Sequence, residues 1–175
     1  MTSRTSVLSA AVLAALALSV AGCGTGETSG APTTSAVPDA WDPCTLSDEA
    51  LVRATLDPAT EGPGLNSRKA GESSCGWEND DIGLIITASS TGSTERFHNS
   101  PDNVDFRDLE VAGRHVVVFR QASDEPGTFC HMAVPFDSGG LALMQVGRSA
   151  LTKDTTPMCD WALKVGDALV AEMPA

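Results

Sequence analysis

The chain has 175 residues and carries 23 acidic against 11 basic side chains, a formal charge of −12. Such a surface repels phosphate backbones and anionic headgroups, which excludes nucleic acid as a partner and a basic face as a membrane contact. From Trp41 onward the 135 residues suffice for one ordinary domain with its own core.

In chain order, Arg4 and the α-amino group make the start positive, and Val7 to Val20 is an unbroken run of Val, Leu, Ala and Ser. Those 14 residues fall short of the roughly 20 that a membrane-spanning helix requires. Residues 1–22 therefore read as a signal peptide that is removed. The run ends in Val20-Ala21-Gly22-Cys23, which resembles the lipobox of bacterial lipoproteins. Small residues admit the peptidase, and the cysteine thiol is the nucleophile that forms a thioether with diacylglycerol. A lone arginine, not a pair, points to the general export route. The expectation is a chain held on the extracytoplasmic face of the cell membrane by acyl chains at Cys23. Removing residues 1–22 takes away Arg4 and no acid, so the mature charge is −13.

Residues 23–40 comprise the lipidated cysteine and a Gly-, Thr-, Ser-, Pro- and Ala-rich tether without apolar period. A flexible tether of this length has an r.m.s. span of roughly 20–25 Å. The folded domain is then expected over residues 41–175.

With Cys23 spent on lipid, Cys44, Cys75, Cys130 and Cys159 remain. An even number in an exported domain implies two disulfides, and the absence of a C-x-x-C pair argues against a metal centre. Three pairings are open. Cys44 precedes the first predicted helix and Cys159 starts the last, while Cys75 and Cys130 fall in predicted strands. Pairing like with like favours Cys44–Cys159 and Cys75–Cys130.

Ser47 can cap a helix through about Leu56, with Asp48 and Glu49 in its first turn and Asp57-Pro58 as its stop. Residues 58–73 read as loop. Ser74 to Glu78 and Ile82 to Ser89 flank Asn79-Asp80-Asp81 and predict a hairpin. Residues 90–104 read as exposed loop. Leu109 to Val111 turns through Ala112-Gly113 into His115 to Gln121, and Phe129 to Phe136 pairs with Leu141 to Val146 across Asp137-Ser138-Gly139-Gly140. A helix from Pro157 to Met173 closes the chain, with Met158, Ala162, Val165 and Leu169 on one stripe. Strands bracketed by helices predict an α+β fold: an antiparallel sheet of about five strands, an N-terminal and a C-terminal helix on one face, and two disulfides.

The chemistry candidates each have a plainer reading. Asp137-Ser138-Gly139-Gly140 is similar to the nucleophile segment of trypsin-like proteases, but Phe136 stands where that family has glycine. No histidine here sits in the family's Ala-Ala-His-Cys setting, and a tight turn demands the same residues. His115 and His131 alternate with apolar residues inside strands, where they could share a face for metal binding or proton transfer. No carboxylate or cysteine at short spacing completes a ligand set, and His98 falls in a loop. Asp102, Asp105 and Asp108 lack the glycine and glutamate of a calcium loop. Trp41, Trp77 and Trp161 each lie two or three residues from a cysteine, which suits packing over disulfides. No phosphate loop, dinucleotide fingerprint or G-x-S-x-G elbow is present.

The order of Asp42-Pro43-Cys44, Cys75-Gly76-Trp77, Gly113-Arg114 before a Val-rich strand, Cys130, and Cys159 opening a helix that ends Met173-Pro174 resembles a known family. It is that of actinobacterial envelope lipoproteins catalogued as a domain of unknown function. The resemblance implies a surface location and a disulfide fold, and it carries no catalytic residue. His115 departs from it, standing after Gly-Arg where a small residue or proline is expected. The functional expectation is a non-catalytic envelope module without cofactor or metal that binds a small ligand, a glycan or an envelope protein. The rivals are an accessory subunit of an envelope complex and a hydrolase built on Ser138 with His115 or His131.

Overall fold

The computed structural model describes residues 37–64, 69–125 and 127–175. In order they form α1 (Asp48–Arg53), β1 (Asp57–Pro63), β2 (Glu72–Glu78), β3 (Ile82–Ser89), α2 (Thr94–His98), β4 (Asn103–Val111), β5 (Arg114–Gln121), β6 (Phe129–Pro135), β7 (Leu141–Arg148) and α3 (Met158–Leu169). All seven strands join one sheet in the order β1-β2-β3-β7-β6-β5-β4, antiparallel throughout. This corrects the expected five-stranded sheet framed by two substantial helices. Of the described helices only α3, with 12 residues, exceeds two turns; α1 ends at Arg53, not Leu56.

β1, expected as loop, and β4, of which only Leu109 to Val111 was expected, are the sheet's edges, and both carry residues that argue against a strand. In β1, Pro58, Gly62 and Pro63 punctuate the chain, but a proline on an edge can leave the side that lacks an N–H facing outward. β4 extends back to Asn103 through an irregularity between Val104 and Arg107, where Asp105 adopts a φ of 57°. A bulge of this kind lets an acidic, poorly patterned segment stay paired. Prolines at one edge and a charged bulge at the other also discourage further strands from adding.

Local chemistry sets the turns. Asn79 Oδ1 accepts the N–H groups of Asp81 and Ile82, both at 2.8 Å, and closes the β2–β3 hairpin. Ala112 and Gly113 both have positive φ, 50° and 77°, as a two-residue type I′ turn between β4 and β5 requires. Arg114 then donates to the carbonyls of Val170 and Met173 at the chain's last turn and of Pro135 at the end of β6, tying the C-terminus to the sheet.

Alternation along the strands divides the sheet into two faces. One presents Trp77, Leu84, Ile86, Val116, Val118, Met132, Val134, Met144 and Val146, and all are buried in one core with Leu51 of α1 and Met158, Ala162, Val165 and Leu169 of α3. The other carries only a small cluster of Val117, Phe119 and Ala133, against which Phe97, Phe106 and Leu143 pack.

Both disulfides form, in a different pairing from the one expected: Cys44–Cys75 and Cys130–Cys159, with Cα separations of 5.4 and 5.1 Å. The topology supplies the reason. β3 and β7 lie between β2 and β6, which sets Cys75 and Cys130 about 14 Å apart at three inter-strand spacings. A disulfide spans no more than about 7 Å between Cα atoms. Each bridge instead ties a helical segment to the strand beneath it.

Candidate functional site

The sheet face away from α1 and α3 is where side chains remain without a layer above them. Register places Gly76, Ile85, Gln145, His131 and Phe119 in one row across β2, β3, β7, β6 and β5. On one side lies the row Ser74, Thr87, Leu143, Ala133 and Val117; on the other lie Glu78, Gly83, Gly147 and Phe129. α2 covers the β5 side, where Phe97 stacks on Phe119 with ring centroids 5.1 Å apart and Phe106 stacks on the same ring at 5.5 Å. No described helix covers β2, β3 and β7 on this face.

A hollow of about 620 Å³ opens there, with Ile85, Thr87, Leu141 and Leu143 among its walls and the cations Lys69 and Arg96 at its rim. That volume lies within the range usual for small-molecule sites, about 300–1,000 Å³. Lys69 is paired with Glu72 at 2.8 Å. Arg96 makes no hydrogen bond or ion pair with another side chain among the described residues and is exposed. A second hollow of about 600 Å³ adjoins across Ile85 and Gln145, and Gly76, Gly83, Gly147 and Phe129 help line it. The Phe129 ring lies over Gly147, 2.6 Å from where a Cβ would sit, whereas a Cβ on Gly83 would meet nothing within 4 Å. Gly83 thus leaves the surface open down to backbone, while the Phe129 ring fills the space over Gly147.

His131 lies under α2 at the inner end of this face. It is 4% exposed, stacks on Phe119 at 5.2 Å, and has Asp124 Oδ2 at 3.6 Å, beyond hydrogen-bonding distance. Neither ring nitrogen has a partner among the described residues. Burial holds the imidazole pKa below its ordinary 6.5, outweighing the opposing pull of the Asp124 carboxylate. The folded state therefore holds His131 neutral, while the unfolded chain takes up a proton near pH 6.5. Stability should be level above about pH 6.5 and fall as pH drops from there toward the depressed folded value. Urea denaturation at pH 7.5 and 5.5 checks this: His131→Gln should show a smaller loss between the two pH values than the parent. An unchanged loss would contradict it.

The other sequence candidates are dispersed. Ser138 is exposed in the β6–β7 turn beside Gly139 and Gly140, both at positive φ. His131 stands four residues inside β6, about 13 Å back along the strand from its end, so the serine does not meet it. His115 Nε2 lies 3.3 Å from Asp108 on the neighbouring strand. It shares a face with His131 by alternation, but the β5 partner of His131 is Phe119, four residues further along. Asp105 binds Arg120, and Asp102 and His131 line a smaller cavity of about 210 Å³, which shares Arg96, Phe97 and Leu143 with the first hollow. His98 stacks on Phe106 at 4.4 Å. Trp77 is buried in the core, Trp161 donates to Asp154 at 3.2 Å, and Trp41 meets Phe136 edge-on at 6.1 Å. Among the described residues the one group with metal-like spacing is Cys44, Glu61 and Cys75, whose two thiols are consumed by their disulfide. Cys23 lies outside the described residues. Arg96 and the bare strand face escaped the sequence reading. The signal was the alternate set Gly83, Ile85, Thr87 and Ser89, too apolar for an exposed face and too polar for a core.

These features define a disulfide-stapled, single-sheet protein with one face sealed by helices and the other hollowed. The chain belongs to the family described as "Protein of unknown function (DUF3558)", whose model matches residues 18–172. No curated protein and no solved structure matches it.

Proposed function

We propose that this is an extracytoplasmic lipoprotein of the actinobacterial cell envelope, anchored through Cys23, which binds a small ligand on its open sheet face without transforming it. The observation that carries the binding reading is the hollow of about 620 Å³, where an aliphatic floor meets the Lys69–Glu72 pair and the unpaired cation Arg96 at the rim. Pockets of that composition fix a ligand's body by apolar contact and its orientation by a few polar groups. A stacked sugar is less well served: the chain has no tyrosine, and Phe97 and Phe129 are half-buried. The anchor reading rests on Val20-Ala21-Gly22-Cys23. Described chain begins at Val37, and the Pro38 carbonyl accepts from Ser90 Oγ at 2.8 Å. Pro38 therefore lies close to the hollow that Ser89 and Gly92 line.

Two measurements test the proposal. Cells making the protein should incorporate labelled palmitate into it, and Cys23→Ala should abolish the label; equal labelling of both would remove the anchor. For the site, amide shifts of the protein should be followed with dodecanoate, dodecanol and maltotriose. Shifts confined to residues around Ile85, Thr87, Leu143 and Gln145 with any of them support the reading. No shift there with all three would overturn it.

A further inference from the structure

We propose that the two adjoining hollows form one trough for a single-chain amphiphile with an anionic head, the head at Arg96 and the tail running along β3 and β7 to Gly83, where the Phe129 ring over Gly147 closes the far end. This rests on the reading of the open face as a binding site and names what it takes. Three observations carry it. The first is length. The hollows meet across the cross-strand pair Ile85–Gln145, and from Ser89 to Gly83 the floor extends six residues, about 20 Å at the usual strand rise. That is an extended chain's dimension, not a compact ring's.

The second is the asymmetry of charge. Arg96, Lys69 and Glu72 stand at the α2 end; Glu72 neutralises Lys69 at 2.8 Å, which leaves Arg96 as the cation without a side-chain partner among the described residues. At the far end Glu78 is exposed, and the guanidinium of Arg148 is occupied by the carbonyls of Gly127, Asp154 and Thr156. An anion is therefore favoured at one end alone. The third is the floor itself. The space above Gly83 is empty to 4 Å, and the Phe129 ring over its partner Gly147 forms the end wall. Each methylene laid along such a floor leaves water, which makes affinity grow with chain length until the trough is full.

Calorimetric titration of the disulfide-bonded protein with octanoate, dodecanoate and dodecanol tests the assignment. Dodecanoate should bind more tightly than octanoate. Arg96→Ala should weaken dodecanoate about tenfold and dodecanol less than twofold, as loss of a charge-assisted contact predicts. Gly83→Leu and Gly83→Phe place a side chain where there is room, so both should fold with the parent's melting temperature. Both should weaken dodecanoate about tenfold while leaving octanoate unchanged. Equal weakening of acid and alcohol by Arg96→Ala, or of both chain lengths by the Gly83 variants, would overturn the proposal while leaving the open face a binding site. Binding of maltotriose with neither carboxylate would do the same. Absence of binding by every probe would remove the site reading itself.

Discussion

Gly140→Val should destabilise the protein by about 4 kcal/mol or more, among the largest effects a single substitution produces. Gly140 has a φ of +85°, a region in which a β-branched residue is strained. A Cβ there would lie 2.2 Å from the Ser89 carbonyl oxygen and 3.0 Å from the Ser90 Cα and carbonyl carbon. Those atoms are backbone at the end of β3, which is hydrogen-bonded on both sides by β2 and β7, so they cannot rotate away as a side chain would. The neighbouring glycine separates strain from collision. Gly139 has a φ of +92°, but a Cβ on it would meet nothing within 4 Å, so Gly139→Ala should cost only about 1–2 kcal/mol. Urea denaturation of the two variants beside the parent measures both. Equal, small losses would mean that the turn does not press on β3 as described.

The second large effect concerns the staples. Cys130→Ala with Cys159→Ala should cost about 3.5 kcal/mol in the chain-entropy model, for a bridge closing a separation of 29 residues. The Cys44–Cys75 bridge, with a separation of 31, should be worth a similar amount. The first is the more consequential structurally because Cys130 is fully buried on an interior strand and holds α3 against it. Against a total stability of about 5–15 kcal/mol for a domain, either loss should lower the melting temperature well beyond scatter. Non-reducing peptide mapping gives the independent check. It should recover linked peptides containing Cys44 with Cys75 and Cys130 with Cys159, and a Cys44–Cys159 peptide would contradict the fold.

What the sequence disclosed and what it hid follow from the reach of its signals. β-Branched runs and turn residues are local, so Ile82–Ser89 and the Asn79, Ala112-Gly113 and Gly139-Gly140 turns could be read directly. β1 and the first part of β4, before Leu109, could not, because Pro58 and Pro63 in β1 and the acidic run of β4 oppose strand formation locally, and only pairing with β2 and β5 overrides them. The disulfide pairing was hidden for a related reason. Element type says nothing about strand order, and the order β2-β3-β7-β6 decides which cysteines can meet. His131 was visible as a strand histidine, but its burial beside Asp124 depends on α2, a five-residue helix read as loop. Arg96 lies on that same helix, so the site's charge was concealed with it.

The guarded edges bear on life at a surface. Molecules tethered to one membrane, as proposed for this chain, share a thin layer in which each meets its own kind at effective concentrations of order millimolar. Open sheets in such a layer can polymerise, since every free row of N–H and C=O groups is a template for the next copy. Here one row is broken by Pro58 and Pro63 and the other is bent by the Asp105 bulge. Crowding should therefore leave neighbouring copies as separate molecules, each with its hollow face free.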